Sequence, residues 1–275
     1  MLPQRDSILS LLADEDSDTA GLVQNQLVAR GPEVLADLRD LLPAASGRAE
    51  RRLKEIVAQI AGDAAEKKFA ALCAAFGDHS DIEDAAWTLA AVVAPGEDFS
   101  EERRRLDEWG AALGRRLLGM ETMIQKCNAM SALLGSELGF RGNEDDYYAE
   151  ENSLLPRVIG QRHGNPITLC LVYIAVGRRA GLPVHGVGLP GHFVVRAGGV
   201  FFDPFHGGRR LQLEDCQKLL ESQSLELQPH HLLPCKPRVM LARILNNLLH
   251  AAETGDPTLG EKLHGWLQVL QRAAV

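Results

Sequence analysis

Residues 188–205 read GLPGHFVVRAGGVFFDPF, and the chemistry in them belongs to His192 and Asp203. Two runs rich in Val and Phe flank Ala197-Gly198-Gly199, the pattern of a β-hairpin. A two-residue turn at Ala197-Gly198 sets His192 directly opposite Asp203, with their Cβ atoms about 5 Å apart on one face. A turn at Gly198-Gly199 keeps both on that face, one step out of register. A three-residue loop would put them on opposite faces unless a bulge intervenes. An imidazole held by a carboxylate is the base and orienter of a nucleophilic site. What such a pair does depends on whether a nucleophile stands in front of it.

The element that could supply one follows Gly164-Asn165-Pro166. Asn as N-cap and Pro at the first helical position mark a strong helix start. The run ITLCLVYIAVGRRAGL is apolar on nearly every side until Gly177, the profile of a buried central helix. Thr168 falls at N3. A Thr hydroxyl with only a neutral His is a poor nucleophile, and its expected role is to satisfy local groups. Cys170 lies two residues on, in the second turn and on the opposite side, where a buried thiol packs and is inert. His163 before the helix and His206 after the Asp203 strand would flank the same cleft. Together with His192 and Asp203 they raise a metal reading, but the spacing is no recognised metal motif, so neither a metal nor another cofactor is expected. His230, His231 and Cys235 form a weaker set in what reads as a surface turn around Pro234 and Pro237.

A net charge of −8 disfavours nucleic acid, since the longest basic clusters, Arg103–Arg105 and Arg178–Arg179, are short and read as solvated helix faces. No apolar run approaches the length that spans a bilayer, and the first residues lack a basic, cleavable leader. The five cysteines are scattered, with no C-x-x-C pair, which fits reduced thiols and a cytoplasmic chain.

Residues 1–62 read as four short helices: one around Ile8–Leu12, one capped at Asp16–Asp18, one started by Gly31-Pro32, and one over 49–60. They fit equally a pair of HEAT-like hairpins or a plain helical cap. Helical spacing continues over 66–77, 80–93, 99–116 (capped by Ser100) and 119–135, with Trp87 and Trp109 as core residues. Residues 139–153 are turn-rich and acidic, without the spacing of a calcium loop. A short helix over 152–162 would be capped by Asn152 or Ser153. Gly181 and Pro183 end the central helix, and a strand begins at Val184. A helix over 211–223 and a closing pair over 237–253 and 258–273, similar to a tetratricopeptide hairpin, complete the chain.

From 138 to 210 the order of motifs is distinctive: LGFRGN, YY with ENS, QRHGNPITL, VGRRAGLPVHGVGLPGHFVVR, then FFDPF with GG. This resembles the bacterial branch of the transglutaminase-like superfamily named after the Sir-B proteins, to which a domain of an animal F-box protein is related. The resemblance implies a papain-like core in which a helix presents a Cys at its first turn, a neighbouring strand a His and the next strand an Asp. His192 and Asp203 match the last two. At the family's Cys position, counted back from Gly181, stand Pro166 and Ile167, neither of which can attack a carbonyl.

The expected fold is α+β, with a helical cap over 1–65, a transglutaminase-like core with helical lead-in over 66–235, and a helical hairpin over 236–275. The cleft is expected to draw on Asn152, Ser153, Arg162, Asn165, Pro166, Tyr173 and Phe205. The expected function is binding of a protein partner or small ligand without catalysis, with no nucleic acid and no membrane. The other reading is a hydrolase or acyltransferase of amide or peptide bonds, using His192 and Asp203 with Thr168, Cys170 or a water as nucleophile.

Overall fold

A computed structural model describes residues 5–221, 224–253 and 255–272. The expected ends of helices at 223 and 273, residue 254 and the first four residues lie outside them. Twelve α-helices and six strands are present among the described residues. The chain divides into two compact units, Met1–Leu72 with Thr88–Asp98, and Cys73–Trp87 with Phe99–Val275. This partition cuts two helices rather than falling at residues 65 and 235.

In the first unit, α1 (Arg5–Ala13) and α2 (Ser17–Arg30) are followed by a 3-10 turn at Gly31–Val34, α3 (Leu35–Arg39) and a second 3-10 turn at Leu42–Ala44. Asp16 caps α2, its carboxylate accepting from the Asp18 N–H. Leu12, Leu27, Leu38, Leu53 and Ile56 are among the buried residues of its core. The expected break near residue 62 is absent: α4 runs unbroken over Gly47–Ala75. A Cβ at Gly62 would lie 3.2 Å from the Pro95 ring, so this glycine serves close packing inside the helix rather than ending it.

The second unit carries the chemistry. α5 (Ile82–Val93) enters it, and α6 (Ser100–Leu117) starts with Phe99 at the cap position, so Ser100 is the first helical residue and not the cap. α7 (Met123–Ser131) has a full capping box from Thr122 and Gln125 and runs on into a π-turn at Ala132–Glu137. β1 (Arg141–Gly142) pairs in parallel with β2 (His163–Gly164) around α8 (Leu155–Gln161). α9 (Pro166–Arg179) follows; eleven of its fourteen residues are buried, as its apolar sequence demands.

The sheet is an antiparallel meander of β3 (Val184–Leu189), β4 (His192–Ala197), β5 (Val200–Asp203) and β6 (Arg209–Leu211). α9 packs along β3 and β4. Val187, Leu189, Val194, Phe201 and Leu211 pack with Cys216 and Leu220 of α10 (Leu213–Glu221). α10 starts two residues later than expected because Leu211 belongs to β6. α11 (Pro237–Ala252) and α12 (Pro257–Arg272) form the closing antiparallel pair, and α11 also packs against α9.

Candidate functional site

The β4–β5 turn is Gly198-Gly199, pairing Ala197 with Val200 and Val195 with Phe202. Asp203 is therefore opposite Val194, and His192 is diagonal to it on the same face. Gly198 at φ +58° takes the left-handed turn position, which favours this loop over one at Ala197-Gly198. The diagonal spacing is bridged by the side chains: His192 Nε2 lies 2.9 Å from Asp203 Oδ2. A third residue joins them, because His206 Nδ1 lies 2.7 Å from the same Oδ2. The other carboxylate oxygen, Oδ1, accepts from the N–H groups of Phe205 at 3.1 Å and His206 at 3.4 Å.

Asp203 is fully buried. Burial pushes its pKa up, but hydrogen bonds and charge from His192 and then His206 outweigh that and hold it below the usual value. An ionised carboxylate only accepts, so the facing nitrogens donate to it, and Nδ1 of His192 is left to face outward. In a catalytic pair that is the nitrogen that would activate a nucleophile.

A cavity of about 190 Å³ opens beside His192, lined by Pro166 and Ile167 of α9, by Gly191 and Phe193, by Tyr147, and by Arg243, Asn246 and Asn247 of α11. None of these is Ser, Thr or Cys. A second cavity of about 220 Å³ shares Tyr147 and Asn247 and adds Tyr148, Ser153, Asn165 and His250. The two make a groove across the start of α9. Phe205 stands behind it, its ring edge-on to His192 and Tyr147 and pressed onto Gly142, where any Cβ would clash at 2.4 Å. The glycine of the LGFRGN motif is thus the floor for that ring. His163 and His206 line a separate cavity with Phe205 rather than the groove beside His192, so the common cleft expected for them is not the one that His192 lines.

The expected nucleophiles are placed elsewhere. Thr168 is buried at N3, its hydroxyl donating to Asn165 Oδ1 at 3.0 Å, and its N–H reaches the same oxygen. Cys170 is fully buried with Sγ directed at the Phe193 carbonyl 3.4 Å away. Burial, then the Asp203 charge, pushes its thiol well above the ordinary value, so it stays protonated.

Of the residues expected in the cleft, Ser153, Asn165 and Pro166 line the groove, and Phe205 backs it. The other three are structural. Neither Asn152 nor Ser153 caps α8, whose cap position is Leu154. Asn152 instead ties the acidic loop together, donating to the Asp146 and Tyr147 carbonyls, while Ser153 Oγ accepts from Asn165. Arg162, in the left-handed region at φ 67°, closes α8 and stacks on Trp109 and Phe140. Tyr173 is completely buried, its hydroxyl close beneath Gly208 and Gly135. Sequence reasoning missed Arg243, Asn246 and Asn247, treating α11 as packing only. The signal was there in RILNNLLH, where two adjacent amides interrupt an otherwise apolar stripe.

Arg178 is exposed, as expected of a solvated face, whereas Arg179 is largely covered, and both are paired with acids. Arg179 makes a two-pronged contact with Glu83, at 2.8 Å to each carboxylate oxygen, and reaches Asp107 at 2.7 Å. Arg178 bridges Asp81 and Glu83. In the other basic cluster, Arg103 stacks on Trp87, while Arg104 and Arg105 pair with Glu101. No helix is long and apolar enough to cross a membrane, among the described residues.

Comparison with known proteins places the sequence among relatives. A UPF0162 protein of Xylella fastidiosa is 40% identical over 133 residues, covering 45% of this chain and 47% of that protein. A UPF0162 protein of Pseudomonas aeruginosa is 33% identical over 183 residues, 64% of this chain and 66% of that one. Human F-box only protein 21 is 31% identical over 116 residues, 38% of this chain and 18% of that protein. The match therefore spans about half the length of the Xylella relative. No solved structure matches. The model of the transglutaminase-like superfamily matches residues 100–246, more than half of the chain and all of the groove except Asn247 and His250, and the chain belongs to that superfamily.

Proposed function

We propose that this chain is a non-catalytic member of the superfamily that binds a small ligand or a segment of a protein partner in the groove at the start of α9. The observation that carries this reading is the lining of the groove. Where the family's thiol would stand beside His192, Pro166 and Ile167 present hydrocarbon. Thr168 and Cys170 are both buried and engaged in hydrogen bonds of their own. The His192–Asp203 pair then orients His192 Nδ1 as a hydrogen-bonding group, with Asn246, Asn247 and Arg243 as further polar contacts among apolar walls, the make-up of a recognition site. The cysteines, four of them buried and all unpaired, support a reducing compartment, and we assign the chain to the cytoplasm. Residues 1–65 are proposed to act as a helical cap or a short repeat stack that presents the core.

The test is a ligand-observed NMR screen of small amides and short peptides against the full chain, combined with assay of the hits for amide cleavage and transfer. Binding that Asn247→Leu abolishes, with no product formed over many hours, supports the reading. Steady product formation that His192→Ala removes contradicts it and favours a hydrolase working through a His192-activated water.

A further inference from the structure

We infer that His192, Asp203 and His206 form a binding site for one divalent transition-metal ion of the zinc class. The inference goes beyond the groove reading and holds whether or not the groove takes a ligand.

An orienting carboxylate needs one imidazole, and here two converge on one oxygen. His192 Nε2 and His206 Nδ1 lie 2.9 and 2.7 Å from Asp203 Oδ2, and the three donor atoms lie within 4.8 Å of one another. The sequence builds this from two neighbouring elements. Asp203 ends β5, Pro204 starts the turn, and His206 comes back over the carboxylate at the i+3 position. His192 arrives from β4 on the same sheet face.

The carboxylate is held for such a role. Oδ1 is fixed by two backbone N–H groups, so Oδ2 alone is presented to the rings, and its carboxyl is fully buried. Backbone donors on the outer oxygen are the kind of outer contact that orients a ligating carboxylate. The site also has an access route. His206 is about half exposed, with its side chain at 44%, and it lines the open cavity that His163 shares.

Two imidazole nitrogens and one carboxylate oxygen suit zinc, cobalt or nickel, whereas magnesium and calcium prefer all-oxygen sets. Three protein donors with the fourth position open is the arrangement of accessible zinc sites. Zinc bonds near 2.1 Å in a tetrahedron separate donors by roughly 3.4 Å. The two contacts to Oδ2 therefore open by about 0.6 Å, a side-chain adjustment. Each ring moves its proton to its other nitrogen, Nδ1 in His192 and Nε2 in His206, so two lone pairs face the ion.

The experiment uses the full chain stripped with chelator and titrated with zinc ion by calorimetry, with cobalt ion as an absorption probe. One ion per chain is expected, with a cobalt spectrum of four-coordinate intensity and a zinc-dependent rise in melting temperature. His206→Ala and His192→Ala should each weaken binding by at least 10-fold, roughly the low end of what losing even an outer contact costs. His206→Ala should also remove the zinc-dependent rise in melting temperature. His163→Ala and the paired change His230→Ala with His231→Ala should leave the affinity unchanged. His206 lies on an exposed turn, and a melt without metal checks that its variant folds. Equal affinity of wild type and folded His206→Ala overturns the site, as does binding that disappears with His230 and His231. A cobalt spectrum of six-coordinate, water-like intensity overturns it too.

Discussion

The two ends of α9 solve opposite problems. At its C-terminal end, Arg178 and Arg179 are locked to Glu83, Asp81 and Asp107, and the Trp87 indole N–H adds a contact to Glu83 at 3.3 Å. Gly181 at φ +73° closes the helix behind them. At the N-terminal end, Asn165 satisfies the first turn through Thr168, and beyond that cap the helix faces a groove. One end has its charges matched within the fold. The other keeps an imidazole nitrogen and three α11 side chains turned toward a cavity. The difference teaches that α9 is an anchored post, whose fixed end holds the chemistry of the other end in place. At that open end this chain presents the hydrocarbon of Pro166 and Ile167.

The comparison breaks most visibly at the anchor. Glu83→Ala removes the two-pronged partner of the half-buried Arg179 guanidinium and leaves it Asp107 alone, and the expected loss is about 3 kcal/mol in urea denaturation, with a lower melting temperature. The groove should keep its ligand contacts in whatever fraction remains folded. At the open end, Ile167→Cys restores a thiol in the first turn, where the helix dipole favours the thiolate. Its alkylation should outpace that of Cys235 on the order of 10-fold, and His192→Ala should slow it. Asn165→Ala removes the cap and the Ser153 contact together, at an expected 1–2 kcal/mol, roughly the upper range for a cap, read from the same denaturation curves.

A smaller effect is acid sensitivity. Burial pushes the Glu83 pKa up, but the hydrogen bond and charge of Arg179, with Trp87 and Arg178, leave it below the ordinary 4.5. The unfolded chain then takes the proton more readily than the folded one. The stabilisation is complete above the ordinary value and is lost as pH falls through the folded value. Urea midpoints followed from neutral to acid pH should fall less in Glu83→Gln than in wild type, the remaining fall belonging to other carboxylates held low, Asp203 among them.

What the sequence made legible was local. Asn165-Pro166 marks the start of α9 through groups three residues apart, and Asp16 marks α2 in the same way. The His–Asp face followed from the two-residue period of a strand, whichever glycine turned. The turn itself was ambiguous because Ala197-Gly198-Gly199 offers two loops, and only the register of β4 against β5 chooses between them. What was illegible was long-range. Gly62 has the look of a break until Pro95 is seen against it. Glu83 resembles any surface acid until two arginines about 95 residues away converge on it. The wall of Arg243, Asn246 and Asn247 comes from a helix whose apolar stripe suffices to explain it as packing.

The central claim is that no thiol or hydroxyl serves His192, and Cys170 tests it most directly. The folded chain is treated with a small thiol alkylator, with and without His192→Ala, and each cysteine is quantified by mass spectrometry, Cys235 being the partly exposed reference. The expected result is labelling at Cys235, with Cys170 unlabelled in both proteins until the chain is denatured. Rapid labelling of Cys170 in the folded wild type that disappears in His192→Ala would contradict the account and return the pair to catalysis.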